Sequence, residues 1–334
     1  MPGAKLESLK VVKDLSRSEI VFTIDVVPKT RRVIFGGSDF QVYELDLGQD
    51  KPAPQSLGRH ESYVTGLAVA GRWVVSGGYD GRLIWWDLEA RKEARTVSAH
   101  KKWIRNVVAT RDGKTVASVA DDMVGRLWDV ETGTLLHELR GHAEMTPNHY
   151  PSMLYACAWT PDGRYLATAD KVGHIVVWER ESGSKVATLE APVMYTWDPV
   201  QRRHSIGGIR ALAFSPDGNL LAAGGVGKIG NIDHLDGKAR VEIFDWRKGE
   251  RTHEFPGEKI NGIVEHLEFH PGGDWLFAAG GANDGFVMAF DVRAKSVLLQ
   301  EKAPVHVHDF VLNELGDGFV AAGHGKVLVY EIKG

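Results

Sequence analysis

A serine, an aspartate and a histidine lying close together in a chain are the parts of a hydrolytic triad. The imidazole takes a proton from the hydroxyl nucleophile, and the carboxylate orients the imidazole. The chain carries Ser76 and Asp80 in the stretch SGGYDGRLIWWD (76–87), with His60 upstream. It carries the set again in SVADDMVGRLWD (118–129), as Ser118 and Asp122 with His100 upstream. An enzyme needs its nucleophile once, so the second copy points to something repeated. Cys157, the single cysteine, sits in the apolar run LYACAW and reads as a small buried hydrophobe rather than a nucleophile. Asn231, Asp233, His234 and Asp236 are metal-ligating types, with His149 as a further candidate. Their spacing fits neither a calcium loop nor a zinc signature, so no metal and no cofactor is assigned.

Residues that recur need an element that recurs. Seven strands end in a large side chain followed by an acid: VYELD to Asp46, IWWD to Asp87, GRLWD to Asp129, IVVWE to Glu179, VEIFD to Asp245, VMAFD to Asp291 and VLVYE to Glu331. The large residues are Leu45, Trp86, Trp128, Trp178, Phe244, Phe290 and Tyr330, roughly 40–50 residues apart except for a wider gap before Phe244. Between them stand TRDG (110–113), TPDG (160–163), SPDG (215–218) and HPGG (270–273). These are tight-turn sequences: proline presets φ, aspartate bonds its own backbone, and glycine takes positive φ. An alternating strand precedes each turn and another follows it, as in IRALAF (209–214) and NLLAAGG (219–225). Each unit therefore reads as four short strands, A to D, the pattern of a propeller blade.

This pattern resembles the WD-repeat (β-transducin-like) family over nearly the whole chain. The resemblance implies an all-β fold: a seven-bladed β-propeller of four-stranded antiparallel blades, one domain over 1–334. It also implies a role for the duplicated triads, since similar positions in that family form a structural His, Ser/Thr, Asp, Trp network within a blade. Unit two would supply His60, Ser76, Asp80 and Trp86, and unit three His100, Ser118, Asp122 and Trp128. The carboxylate and hydroxyl satisfy a buried imidazole, and the indole N–H donates to the hydroxyl. Unit four keeps His142, Thr168 and Trp178 but has Val172 at the aspartate position. Unit six keeps Asp284 with Phe290, and unit seven has His324 where the aspartate belongs. The last unit stops after its third strand, and KLESLKVV (5–12) is expected to supply the fourth and close the ring.

A net charge of −4 gives no broad basic field, so nucleic acid is not expected as a main partner. Hydrophobic residues at 43% and charged residues at 25% fit a folded globular chain, and neither a signal core nor a membrane span stands out. A cytoplasmic location is the expectation. Function is sought where the repeat breaks, in insertions at 143–153, 191–208 and 226–239. The connections that carry them leave one end of the blades, so all three should gather on one face over units four and five. There Tyr195 and Trp197 would anchor a partner or pin their own loop. Arg202, Arg203 and His204 would meet an acidic partner or water, and His149 and His234 belong to the same cluster. The mouth of a central channel offers Tyr63, Trp103 and Arg105, together with Phe22, Tyr155, Arg210, Glu265 and His308, where Glu265 is expected to pair with Arg210. The resemblance implies a non-enzymatic scaffold that binds a protein or peptide of unknown identity through the loop-rich face. The alternative is a small-ligand or metal-binding propeller, extending to a metal-assisted hydrolase, built on the insertion cluster. Neither the partner nor the oligomeric state is written in the sequence.

Overall fold

The computed structural model describes residues 6–200, 203–230, 237–257 and 259–333. Apart from one 3-10 turn at Pro192–Met194, the described elements are all strands. Units two to six each form one four-stranded sheet with its strands in chain order. Unit two, for example, comprises Val64–Ala70, Trp73–Gly78, Arg82–Asp87 and Lys92–Ser98, antiparallel throughout.

The turn sequences act as their chemistry requires. Asp112 Oδ1 accepts from Thr110 Oγ1 at 2.5 Å and from the Lys114 amide at 3.0 Å, and Gly113 takes φ 65°. Asp162 and Asp217 repeat this with Thr160 and Ser215, both at 2.6 Å. The acids closing the C strands of units two and six have the same kind of task one turn later. Asp87 Oδ1 accepts the amides of Glu89 and Ala90 at 2.9 Å, and Asp291 Oδ1 accepts that of Ala294 at 2.7 Å. These acids hold the C-to-D turns as side-chain mimics of a backbone turn.

The second and third strands of a unit are buried on both faces, which is why they read as continuous apolar runs; the fourth lies mostly in solvent. Adjacent units interlock through their indoles: Trp85 Nε1 donates to the Val130 carbonyl at 2.9 Å and Trp159 Nε1 to that of Val108 at 3.3 Å. The innermost strands pack one on the next in a closed circuit. From the inner part of Ser8–Val26 it passes through Val64–Ala70, Ile104–Ala109, Leu154–Trp159, Ile209–Phe214, Ile263–Phe269 and Val307–Leu312 back to the start. Side chains tie this circuit to neighbouring backbones: Asp25 Oδ2 accepts from Val69 N at 2.7 Å, Glu268 Oε2 from Leu312 N at 2.8 Å, and Asp309 Oδ2 from Ile24 N at 2.9 Å.

Both chain ends lie in a six-stranded sheet. Within it the single strand Ser8–Val26 works twice. Ser8–Ser16 pairs with 326–333, and Val21–Val26 pairs with 33–37. Segment 318–333 turns at Gly325 (φ 69°), so that the Ile332 amide donates to the Asp317 carbonyl at 2.8 Å and the Phe319 and Tyr330 rings stack at 4.5 Å.

Candidate functional site

The two triads are closed hydrogen-bond networks inside their sheets. His60 Nδ1 lies 3.0 Å from Asp80 Oδ2 and His60 Nε2 lies 2.8 Å from Ser76 Oγ, while Trp86 Nε1 donates to the same oxygen at 2.8 Å. His100, Asp122, Ser118 and Trp128 repeat the arrangement at 3.0, 2.8 and 3.0 Å. Ser76 and Ser118 are fully buried, with their hydroxyls engaged on both sides, so neither can meet a substrate. Burial pushes the Asp80 and Asp122 carboxyls up, but the bonded histidines outweigh it and both stay below the usual carboxylate range.

Unit four corrects the expectation that its acid is missing. His142 bonds Asp170 at 2.8 Å and Thr168 at 2.8 Å, and Trp178 Nε1 donates to Thr168 at 2.9 Å. The acid comes from the end of strand B, two positions before Val172. There Asp170 Oδ1 also accepts the amides of Val172 and His174 at 3.0 Å. Cys157 is buried, and desolvation pushes its thiol well above the ordinary range.

The polar side chains left over gather at one end of the ring. Strands alternate in direction, so the D-to-A and B-to-C connections emerge together there, around a channel of about 520 Å³. Phe40, Tyr63, Tyr79 and Trp103 form an arc across units one to three. Phe40–Tyr63 and Tyr63–Tyr79 centroids lie 5.6 and 5.7 Å apart, and Tyr79 stacks flat on Trp103 at 4.3 Å. Tyr63 is 40% exposed and Trp103 48% exposed. Arg105 is committed from below: its guanidinium donates twice to Asp121, at 2.8 and 2.7 Å, and to the Tyr79 hydroxyl at 2.7 Å. It therefore holds the arc in place and offers little to a partner. Arg210 does not cancel Glu265 as expected. Its guanidinium lies 3.6 Å above the Tyr155 ring, and the nearest ionic neighbour of Glu265 is His306 Nε2 at 3.7 Å.

The described parts of the three insertions touch one another. Tyr195–Asp198 and His204–Gly207 form a hairpin, the Tyr195 hydroxyl donates to Asn148 Oδ1 at 2.8 Å, and Trp197 packs on Tyr150 with centroids 5.2 Å apart. The Ile229 amide donates to Thr196 Oγ1 at 3.1 Å. Tyr195 and Trp197 are thus half-buried and bind loop to loop, while Met145, Tyr150, Val193 and Val200 face solvent. Gly207 takes φ 106°, and a Cβ there would meet the Met194 carbonyl at 2.1 Å, so the hairpin root must be glycine. His149, Arg203 and His204 are exposed. Arg202, Asn231, Asp233, His234 and Asp236 lie outside the described residues.

Five segments, 53–87, 91–129, 133–179, 197–241 and 249–291, match the family described as WD domain, G-beta repeat, and together they cover more than half of the chain. The chain is a WD-repeat protein. Among its relatives is the rice (Oryza sativa subsp. japonica) chromatin assembly factor 1 subunit FAS2 homolog, 29% identical over 60% of this chain and 45% of that protein. Nuclear distribution protein PAC1-2 of Uncinocarpus reesii is 29% identical over 48% of this chain and 35% of its own length. The guanine nucleotide-binding protein subunit beta of rice (Oryza sativa subsp. indica) is 30% identical over 45% of this chain and 37% of its own. This WD-repeat chain thus spans less than half the length of these relatives. Among its described residues no helix is long and apolar enough to cross a membrane.

Several residues at the mouth of this WD-repeat ring escaped sequence reasoning. Phe40, Tyr79, Asp121 and Lys171 all sit in B-to-C turns, beside the positions that the repeat alignment marked only for the network aspartate. The turn position itself is the signal that would have found them.

Proposed function

We propose that this chain is a non-enzymatic protein- or peptide-binding scaffold that uses the end of the ring where its loops and aromatic arc emerge. The carrying observation is the contiguous row Phe40, Tyr63, Tyr79 and Trp103, fixed beneath by Arg105 and open above. Rigid aromatics with exposed faces beside a polar channel mouth suit a peptide that lays an apolar or cationic side chain across them. The names of its relatives fit such work: two of them are subunits, one of a guanine nucleotide-binding protein and one of a chromatin assembly factor.

We read the ring as seven blades, with the six-stranded sheet holding the first and last. The closed circuit of innermost strands and the double duty of Ser8–Val26 support that reading. The insertion contacts favour a second binding area on the same face, where Met145, Tyr150, Val193 and Val200 are exposed around the Tyr195–Trp197 joint. Peptide display against the purified protein tests the main reading. Selected peptides should bind the Tyr63→Ala/Trp103→Ala variant at least about 30-fold more weakly, as loss of two aromatic anchors implies. Unchanged affinity in a folded variant would reject the arc as the binding surface.

A further inference from the structure

Glu265, His306, His308 and His324 meet at the channel mouth from three separate places in the chain. Glu265 and His308 stand on neighbouring innermost strands, His306 precedes the second of these, and His324 lies within the strand segment 318–333, next to its turn at Gly325. The three imidazoles form one stack: His306–His308 centroids lie 4.5 Å apart, His306–His324 5.1 Å, and His308–His324 4.9 Å. One ligand atom each from Glu265, His306 and His308 lies within 4.8 Å of the others, and among the described residues no other such trio occurs.

His306 Nδ1 lies 3.3 Å from the Ala282 carbonyl, and a carbonyl only accepts, so the proton sits on Nδ1. Its Nε2 faces Glu265 at 3.7 Å, too far for a hydrogen bond. His306 Nε2 and His308 Nε2 are both buried without a hydrogen-bond partner. Two orphaned imidazole nitrogens beside a carboxylate in one pocket need an explanation, since buried polar atoms are otherwise almost always paired.

We propose that Glu265, His306 and His308 bind a divalent first-row transition ion, with the Ala282 carbonyl as the group that orients His306. Two imidazoles and one carboxylate are the donor set that Zn²⁺ and its neighbours take, and a carbonyl fixing the far nitrogen of a ligating histidine is the usual outer-shell arrangement. The site keeps room for a further ligand, for which His324 and a side chain entering the channel from outside compete. The ion would then sit beside Phe22, whose ring meets His308 at 5.2 Å and Tyr63 at 5.7 Å, at the inner end of the aromatic arc.

The test uses the full chain, stripped with a chelator and titrated with Zn²⁺ by calorimetry, with Co²⁺ absorption as the spectroscopic probe of ligation. We expect one ion per chain, a rise in melting temperature on Zn²⁺ addition, and an affinity loss of about 100-fold or more in Glu265→Gln and in His308→Ala. His149→Ala, an exposed histidine away from the cluster, should bind like the wild type. Melting curves establish that each variant is folded, and the near-isosteric Glu265→Gln keeps the test valid if an alanine variant is not. A wild-type chain that takes up no stoichiometric Zn²⁺, or a Glu265→Gln/His308→Ala variant that binds as tightly as wild type, would overturn the site.

Discussion

Units two to four and units six and seven use their buried polar groups in opposite ways. In the first group a histidine, a hydroxyl, an acid and a tryptophan close on one another within the sheet, and no member of the set is left unpaired. In unit six Phe290 replaces the tryptophan, and Asp284 has moved out to an exposed ion pair with Lys302. Polar groups there and in unit seven turn to the channel instead. His266 pairs with Asp309 at 2.7 Å, Glu268 caps a neighbouring strand, and Glu265 faces the histidine stack. The lesson is that the complete networks commit each of their own polar groups within the sheet, whereas units six and seven, without them, leave His306 and His308 nitrogens unpaired at the channel.

The largest effect should come from separating the two groups at the point where the ring joins. Deleting residues 1–12 strips Leu9 and Val11 from the cluster around Phe319 and Tyr330 and unpairs 330–333. We expect the whole chain to melt at least about 10 °C lower, read by circular dichroism. A fall of one or two degrees would mean that the closing strand matters little. Next, Trp86→Ala should lose ~3–5 kcal/mol in urea unfolding, from lost packing and the loss of one of the two partners of Ser76 Oγ. Asp170→Ala in unit four should cost about 2–3 kcal/mol, because His142 and two amides lose their acceptor, while Val172→Ala costs under about 1 kcal/mol. Equal losses at 170 and 172 would mean that the acid was wrongly placed. At the bottom of the scale, Asp284→Ala in unit six should fall within about 0.5 kcal/mol of wild type.

Acidity separates Asp25 of unit one and Glu268 of unit six from the network acids of units two and three by sign. Burial raises Asp25 to about 6 and Glu268 to about 7, each opposed by a backbone amide. The folded state therefore holds protons that the unfolded chain has released, so the stability these groups contribute is full below about 4 and is lost as pH rises to about 7. His266 is also raised, because Asp309, Glu268 and Asp25 outweigh its burial, and it acts in the same direction. Asp80 and Asp122 are lowered, so their contribution is present at neutral pH and is lost only as pH falls below about 4. Replacing Glu268 by Gln should flatten the decline of stability between pH 4 and 7, while Asp122→Asn should leave that window unchanged. Stability curves measured across pH would show whether the two substitutions exchange roles.

The repeat was plain in the sequence because its markers are local: a turn of Pro, Asp and Gly, and an acid one step after a large side chain. The family followed from those markers, and so did the networks drawn for units two and three. Asp170 was missed because spacing was taken as fixed, whereas a carboxylate at the end of strand B reaches the same imidazole as one placed two residues further on. The aromatic arc was half visible. Tyr63 and Trp103 precede inner strands and could be aligned, but Tyr79 and Phe40 come from B-to-C turns in which only the acid position had been aligned. The histidine stack needs three segments brought together by ring closure, which a linear reading does not supply. Tyr195 and Trp197 were noticed for their size, yet their partners Asn148 and Tyr150 lie across a whole blade in the chain.

The most direct measurement is quantitative affinity capture with wild type and two double variants from the same face, each checked by melting. Tyr63→Ala/Trp103→Ala removes exposed arc residues, and we expect it to melt like wild type while losing its partners. Tyr195→Ala/Trp197→Ala cuts the joint between insertions, and we expect it to melt lower while keeping partners that dock on the arc. If the arc variant, folded, captures the same proteins in the same amounts as wild type, the mouth of the channel is not where this scaffold binds.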